Sequence, residues 1–195
     1  MPLTNSVLDA ALQLAGLFYA FAGYVGARAV HQARLLDAAL DELSDEFHQE
    51  RTPPREHSRM LWLLGGALVM MAGGLALLLQ LEAAAWIFFV SASLQFIYLL
   101  AAAPLYFDSG GPQENRGRQR SVNAAILYAA VTVFVLWALQ SGHLKPAAEV
   151  PAELVTGASL GFAGYALYAF WKFIKPFSTM RLPGAHSERD DNKMP

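Results

Sequence analysis

The chain contains no cysteine, and only 15% of its 195 residues are charged. Without cysteine there can be no disulfide, no thiolate-bound metal or iron–sulfur cluster, and no cysteine nucleophile in this chain. Soluble domains average about 25% charged residues, so the low charge, together with 55% hydrophobic residues, indicates a membrane protein. A net charge of −2 gives no sign of a nucleic-acid partner, and we expect none.

All five histidines lie outside the segments that are apolar enough to cross a membrane: His31, His48, His57, His143 and His186. A heme bound by two histidines inside the bilayer is therefore not expected, and no lysine lies mid-membrane to form a retinal-type Schiff base. A charge at the bilayer centre costs about 3 kcal/mol or more and persists mainly for function, and none is predicted here. We expect no cofactor, no catalytic residue and no intramembrane charge for ion coupling.

What the sequence does contain is a very long apolar run from Met60 to Phe107, in which Glu82 is the only charge. One membrane span needs about 20 apolar residues, so this run holds two spans. The tripeptide 80–82 then forms the tip of a tight hairpin. A buried hairpin in a soluble protein is the alternative, and it is disfavoured because the flanking segments repeat the same apolar pattern.

We predict an all-α chain with a single membrane domain of five spans, at residues 7–29, 60–79, 84–105, 122–139 and 154–174. A signal peptide is the alternative for the first span, because Ala27-Arg28-Ala29 has the form of a cleavage site. That alternative is disfavoured because no Lys or Arg precedes the apolar core, whereas Asp9 does. Residues 108–120 are predicted to form a loop, and residues 178–195 a mobile tail.

Residues 30–50 are polar but carry an apolar seam at helical spacing: Leu36, Leu40, Leu43 and Phe47. We expect helix one to continue into the cytosol as an amphipathic helix until Pro53 and Pro54 end it. The seam is too narrow for a core but suits docking of a partner helix; the alternative is that it folds back on the chain's own loops. From Arg28 to Arg59 there are five arginines and seven acids, which disfavours attachment to anionic lipid through this helix.

The basic residues predict the orientation in the membrane. All 14 Lys and Arg residues except Lys145 fall within segments 28–59, 106–120 and 172–195. Five spans place these segments on one side, and the positive-inside rule makes that side cytoplasmic. We therefore expect a plasma (inner) membrane protein with its amino terminus outside and its carboxyl terminus inside. Tryptophans are predicted at both membrane interfaces, inside at Trp62 and Trp171 and outside at Trp86 and Trp137.

Asp41, Asp45 and His48 share one face of the predicted cytosolic helix. Carboxylate and imidazole groups at this spacing could bind a divalent metal. A solvated acidic face is the favoured interpretation, so we predict no metal site.

Ser91, Gln95 and Tyr98 share one face of the third span and could line a polar path through the membrane. Polar side chains in spans more often hydrogen-bond across helices, for about 0.6–2 kcal/mol each. The sequence therefore favours a packing role for these residues and keeps the polar path as the alternative.

Small residues are predicted to bring helices close together in spans one, two and five. They are Gly16, Ala20, Gly23, Gly65, Gly66, Gly73, Gly74, Gly157, Gly161 and Gly164. Spans one and five also share the tetrapeptide Phe-Ala-Gly-Tyr, at residues 21–24 and 162–165. Both spans run in the same direction, so this is not the inverted repeat of many transporters. Duplication and coincidence both remain open.

The favoured function is a non-catalytic membrane subunit or scaffold that assembles with itself or with other membrane protein subunits in the lipid bilayer. The first alternative is a small oligomeric channel or transporter. The second is a membrane enzyme acting on lipid, which would need clustered acids, histidines or metal-binding motifs near the interface.

Overall fold

The structure is a computed structural model that describes residues 2–47, 54–100 and 112–174. These residues form five α-helices and no β-strand. Their bounds are α1 Pro2–Phe47, α2 Pro54–Leu78, α3 Glu82–Ile97, α4 Pro112–Gln140 and α5 Ala152–Ile174, with a one-turn 3₁₀ helix at Ala147–Glu149 before α5. In lipid a helix satisfies its own backbone hydrogen bonds, which explains why the apolar runs take this form.

Five helical segments, one for each helix, are long and apolar enough to cross a membrane, and the third continues three residues past the end of α3: Ser6–Asp37, Ser58–Leu78, Glu82–Leu100, Ser121–Gln140 and Ala152–Ile174. The prediction of an all-helical chain with five such segments is confirmed for the described residues. α1 also continues without a break to Phe47, as expected for a helix that extends beyond its span. Residues 101–105 of the predicted third span, residues 48–50 and the tail 178–195 lie outside the described residues.

The predicted loop at residues 108–120 is wrong from residue 112 onward, because α4 already begins at Pro112. Proline is favoured at the first position of a helix, where its fixed φ suits the helix and its missing N–H is not needed. The polar first turns are helical too, and Gln119 Nε2 donates a hydrogen bond to Asn123 Oδ1, 3.2 Å away, one turn later. Polarity and turn residues before Pro112 had suggested a longer loop.

The predicted hairpin tip is confirmed, and it closes with a Schellman motif. Gln80 has a left-handed backbone with φ of 54°. The Leu81 N–H donates to Ala76 O at 2.9 Å, and the Gln80 N–H donates to Leu77 O at 2.9 Å. The end of α4 repeats this arrangement around Gly142, whose φ is 73°. Both helices therefore end by a tight turn that satisfies their last carbonyl groups.

These two turns are joined to each other. The Lys145 N–H donates to Gln80 O at 2.7 Å, and the Glu82 N–H donates to Lys145 O at 3.0 Å. At the same end of the bundle, His143 Nδ1 lies 3.3 Å from Asp9 Oδ1. The backbone bridge fixes the α4–α5 connection against the α2–α3 hairpin, and the side-chain contact ties the start of α1 to it.

Three aromatic rings fill the interior between α1, α3 and α4. Tyr19, Phe88 and Tyr128 are all buried, and their ring centroids lie 5.2–5.3 Å apart. Tyr19 meets the other two rings edge to face, which is a favourable aromatic geometry. A second, smaller core lies between α1, α2 and α5, around Ala27, Leu64, Leu68 and Phe173.

Candidate functional site

Glycines at the crossing of α1 and α2 bring the two backbones into direct contact. A Cβ on Gly16 would lie 2.6 Å from Leu78 N, and a Cβ on Gly23 would lie 2.5 Å from Met71 N. A Cβ on Gly74 would overlap the backbone N of Ala20. A side chain at any of these glycines would push the helices apart, so they hold the crossing at its present separation.

The other predicted packing glycines lie in different surroundings. A Cβ on Gly73 would meet the Ile87 side chain of α3 at 3.1 Å. A Cβ on any of five further glycines would have no atom within 4 Å: Gly65, Gly66, Gly157, Gly161 and Gly164. Within the described residues, the small face of α5 thus points away from the other helices.

The residues proposed for a polar path have separate surroundings. Ser91 is buried, and the ring of Tyr98 stacks on that of Trp62 with centroids 5.9 Å apart. The hydroxyl of Tyr128 lies beside Ser91 but makes no well-formed hydrogen bond to a described residue. Gln95 is half-buried. Aromatic rings fill the interior beside Ser91, and the polar path stays a prediction.

A cavity with polar and apolar lining lies between α1 and α5 and has a volume of about 350 Å³. Its polar lining comes equally from the two helices: Tyr24, Arg28 and His31, and Tyr165, Tyr168 and Lys172. Leu64 of α2 forms part of its apolar wall. We call this space the α1–α5 cavity.

Aromatic contacts join α1 and α5 at two levels. The rings of Tyr24 and Tyr165 lie 5.5 Å apart, and Arg34 Cζ lies 4.3 Å from the centre of the Phe173 ring. Because contacts on both helices advance in the same direction along the chain, α1 and α5 run parallel. A guanidinium over an aromatic face is an attractive cation–π contact, so Arg34 anchors the end of α5 to α1.

The electrostatic character of the α1–α5 cavity is basic. Arg28, His31 and Lys172 line it, and none of its described lining residues is acidic. Lys172 Nζ lies 5.4 Å from the centre of the Tyr168 ring. A second cavity of about 390 Å³ between α1 and α2 differs in this respect, because Asp37 lines it together with Arg59.

An acidic and a basic residue are spaced alike on the two helices of the α1–α5 cavity. Arg28 follows Asp9 by 19 residues, and Lys172 follows Glu153 by 19 residues. At 1.5 Å per residue each interval is about 28 Å, close to the roughly 30 Å of a hydrocarbon core. On each helix the distance from the acidic to the basic residue therefore matches the thickness of one hydrocarbon core.

The sequence carried a signal for this cavity that polarity alone did not reveal. The shared tetrapeptide aligns Tyr24 with Tyr165, and the same alignment places His31 on Lys172. In the structure each aligned pair contributes to one cavity. The sequence alone leaves the tetrapeptide as a duplication or a coincidence and does not predict the cavity, because which sides of two helices face each other depends on the rotation of each helix.

The predicted docking seam and the weak metal candidate fall mostly outside what the structure describes. The Leu36 side chain is 62% exposed. The side chains of Leu40, Leu43, Phe47, Asp41 and Asp45, and the whole of His48, lie outside the described residues. Within the described part of the chain, no three His, Asp or Glu side chains cluster as metal ligands.

Comparison with protein-family models, with curated proteins and with solved structures finds no match to this chain.

Proposed function

We propose that this chain is a non-catalytic membrane subunit that assembles with a second copy of itself through α5 and scaffolds a larger membrane complex. The observation that carries the proposal is the exposure of α5. In the 18-residue apolar stretch of α5 no residue is buried, whereas 28–33% of the residues are buried in the corresponding stretches of the other four helices. Lipid or another protein must therefore cover the exposed side of this helix.

The glycines on one face of α5 favour another helix, rather than lipid, as the neighbour of that face. Gly157 and Gly161 form a Gly-x-x-x-Gly motif, and Gly164 continues it along the same face. At the α1–α2 crossing, glycines of this chain already meet a neighbouring backbone, whereas those of α5 have open space. Gly-x-x-x-Gly faces are typical of two identical membrane helices in contact. A two-fold axis can place such a face against its own copy, which favours a dimer.

The test compares Gly161→Leu with Ala163→Leu by measuring the molar mass of the complex in mild detergent. Both residues are exposed on α5, and at about 100° per residue Ala163 lies more than 90° from the glycine face. Gly161→Leu should convert the dimer to a monomer, while Ala163→Leu should leave it dimeric. A Cβ on Gly161 has no atom within 4 Å and Ala163 is exposed, so thermal unfolding of the monomer bundle should be preserved in both variants. A dimer that persists in Gly161→Leu overturns the proposal.

We propose that the extension of α1 beyond its span docks a further protein of the complex. The continuous helix to Phe47 and the exposed Leu36 support this role. Replacing Leu40 and Leu43 with glutamate should abolish capture of the partner while membrane insertion and the α5 dimer persist. If the set of copurifying proteins is unchanged, the docking role is wrong.

We propose the plasma (inner) membrane as the location, with the amino terminus outside and the carboxyl terminus in the cytoplasm. This orientation is supported by the basic segments, by the odd number of apolar helices among the described residues, and by the exposed tryptophans. A reporter after Pro195 should be cytoplasmic, and one inserted at Lys145 should be external. Reporters found on the same side overturn this topology.

A further inference from the structure

We propose that the α1–α5 cavity binds the phosphate-bearing headgroup of an anionic phospholipid. This site is separate from the glycine face of α5, which points away from the other helices. It is also independent of self-assembly, because one chain supplies all of its described lining.

Charge is the first argument. Arg28 and Lys172 approach the cavity from helices at opposite ends of the sequence, His31 adds a third nitrogen-bearing side chain, and no described lining residue is acidic. Bringing positive groups together without a carboxylate is unfavourable unless an anion joins them. Basic pockets between membrane helices are suited to anionic lipid headgroups. The neighbouring α1–α2 cavity already holds Asp37 beside Arg59 and lacks this charge imbalance.

Depth is the second argument, and it distinguishes a lipid from a soluble anion. Arg28 and Lys172 each lie about 28 Å along their helix from an acid at the opposite end. Their side chains are therefore placed where the apolar layer of the bilayer gives way to its phosphates. A lipid already in the membrane reaches this depth with its glycerol and acyl chains in the apolar layer.

The walls of the α1–α5 cavity are the third argument. Tyr24 and Tyr165 provide hydroxyl groups that can donate to phosphate or glycerol oxygens, and their rings stand 5.5 Å apart. Leu64 and Ala27 provide apolar surface toward the bundle. A volume of about 350 Å³ lies within the range of small-ligand sites. The cavity thus combines anion-binding groups with the amphipathic surroundings that a headgroup needs.

The experiment titrates the purified full chain in mild detergent with phosphatidylglycerol and measures the lipid-bound fraction by native mass spectrometry. Phosphatidylcholine serves as the zwitterionic control, and inorganic phosphate and glycerol phosphate as soluble controls. Each basic side chain near a membrane surface contributes about fivefold in affinity, so Arg28→Gln with Lys172→Gln should weaken phosphatidylglycerol binding roughly 30-fold. Arg59→Gln is the matched control, because it removes the same charge at the same end of the bundle and should leave binding unchanged.

Two single variants keep the test decisive if the double variant does not fold. Lys172→Gln removes an exposed side chain in the last turn of α5 and should weaken binding roughly fivefold. Arg28→Lys preserves the charge and should retain most of the affinity. The proposal is overturned if phosphatidylcholine binds as tightly as phosphatidylglycerol, or if Arg59→Gln weakens binding as much as Lys172→Gln. Equal binding of inorganic phosphate would also overturn it, by assigning the site to a soluble anion.

Discussion

Replacing Gly74 with alanine tests the close crossing of α1 and α2. A Cβ at this position would overlap the Ala20 backbone N and would lie 2.7 Å from the Gly16 carbonyl oxygen. The obstacles are backbone atoms, so no side-chain rotation relieves the overlap. The two helices must separate by more than about 1 Å to restore ordinary contacts near 3.5–4.0 Å.

The size of the effect follows from this separation. A gap of about 0.5–1 Å removes roughly a quarter to a half of the dispersion energy of the atoms that face it. Overpacking costs about 1–3 kcal/mol, and an overlap with rigid backbone places Gly74→Ala near the upper value. Alanine contributes about 1 kcal/mol of helix propensity over glycine. The free energy of unfolding should therefore fall by about 2 kcal/mol.

Gly66→Ala is the matched control on the same helix, because a Cβ there has no atom within 4 Å. It should raise the free energy of unfolding by up to about 1 kcal/mol through helix propensity alone. Equilibrium unfolding in mixed micelles with rising SDS, followed by tryptophan fluorescence, measures both variants. Adding Gly16→Ala to Gly74→Ala should cost less than Gly16→Ala alone, because the helices are already separated. If Gly74→Ala is as stable as Gly66→Ala, the backbones do not meet here.

Two further predictions use the same unfolding assay. Both Gln80 and Gly142 have a left-handed backbone, which glycine adopts without strain. Gln80→Gly should therefore raise the free energy of unfolding by about 1 kcal/mol, and Gly142→Ala should lower it by about 1 kcal/mol. The opposite signs would contradict the two Schellman turns. Tyr128→Phe should leave stability unchanged or raise it by about 1 kcal/mol, because its buried hydroxyl makes no well-formed hydrogen bond to a described residue. A loss of more than about 1 kcal/mol in that variant would show that the hydroxyl has a partner.

The sequence was sufficient for the features that depend on one helix at a time. Length and apolar content predicted five helices, and a single charge at Glu82 located the hairpin tip. Each of these features depends on whether a segment can form all of its own backbone hydrogen bonds in lipid. The polar residues after Pro112 predict a loop, but α4 begins at Pro112 because proline is favoured at the first position of a helix.

The features that depend on two helices could not be predicted in the same way. Gly16 and Gly157 occupy equivalent places in the aligned spans, yet a Cβ on the first would meet Leu78 and a Cβ on the second would meet nothing. The sequence identifies a helix face of small residues, but the rotation of each helix about its own axis decides which neighbour that face contacts. The same dependence hid the α1–α5 cavity, because Arg28 and Lys172 come together only through tertiary packing.

Single-cysteine cross-linking in native membranes tests assembly through α5 most directly. The chain has no cysteine, so Gly161→Cys and Ala163→Cys each introduce one defined thiol. A disulfide requires Cα atoms within about 7 Å, which a close crossing at the glycine face provides and the side of α5 bearing Ala163 does not. Mild oxidation should yield a covalent dimer of Gly161→Cys and leave Ala163→Cys monomeric. Equal cross-linking of both variants, or of neither, would contradict assembly of two copies through this face.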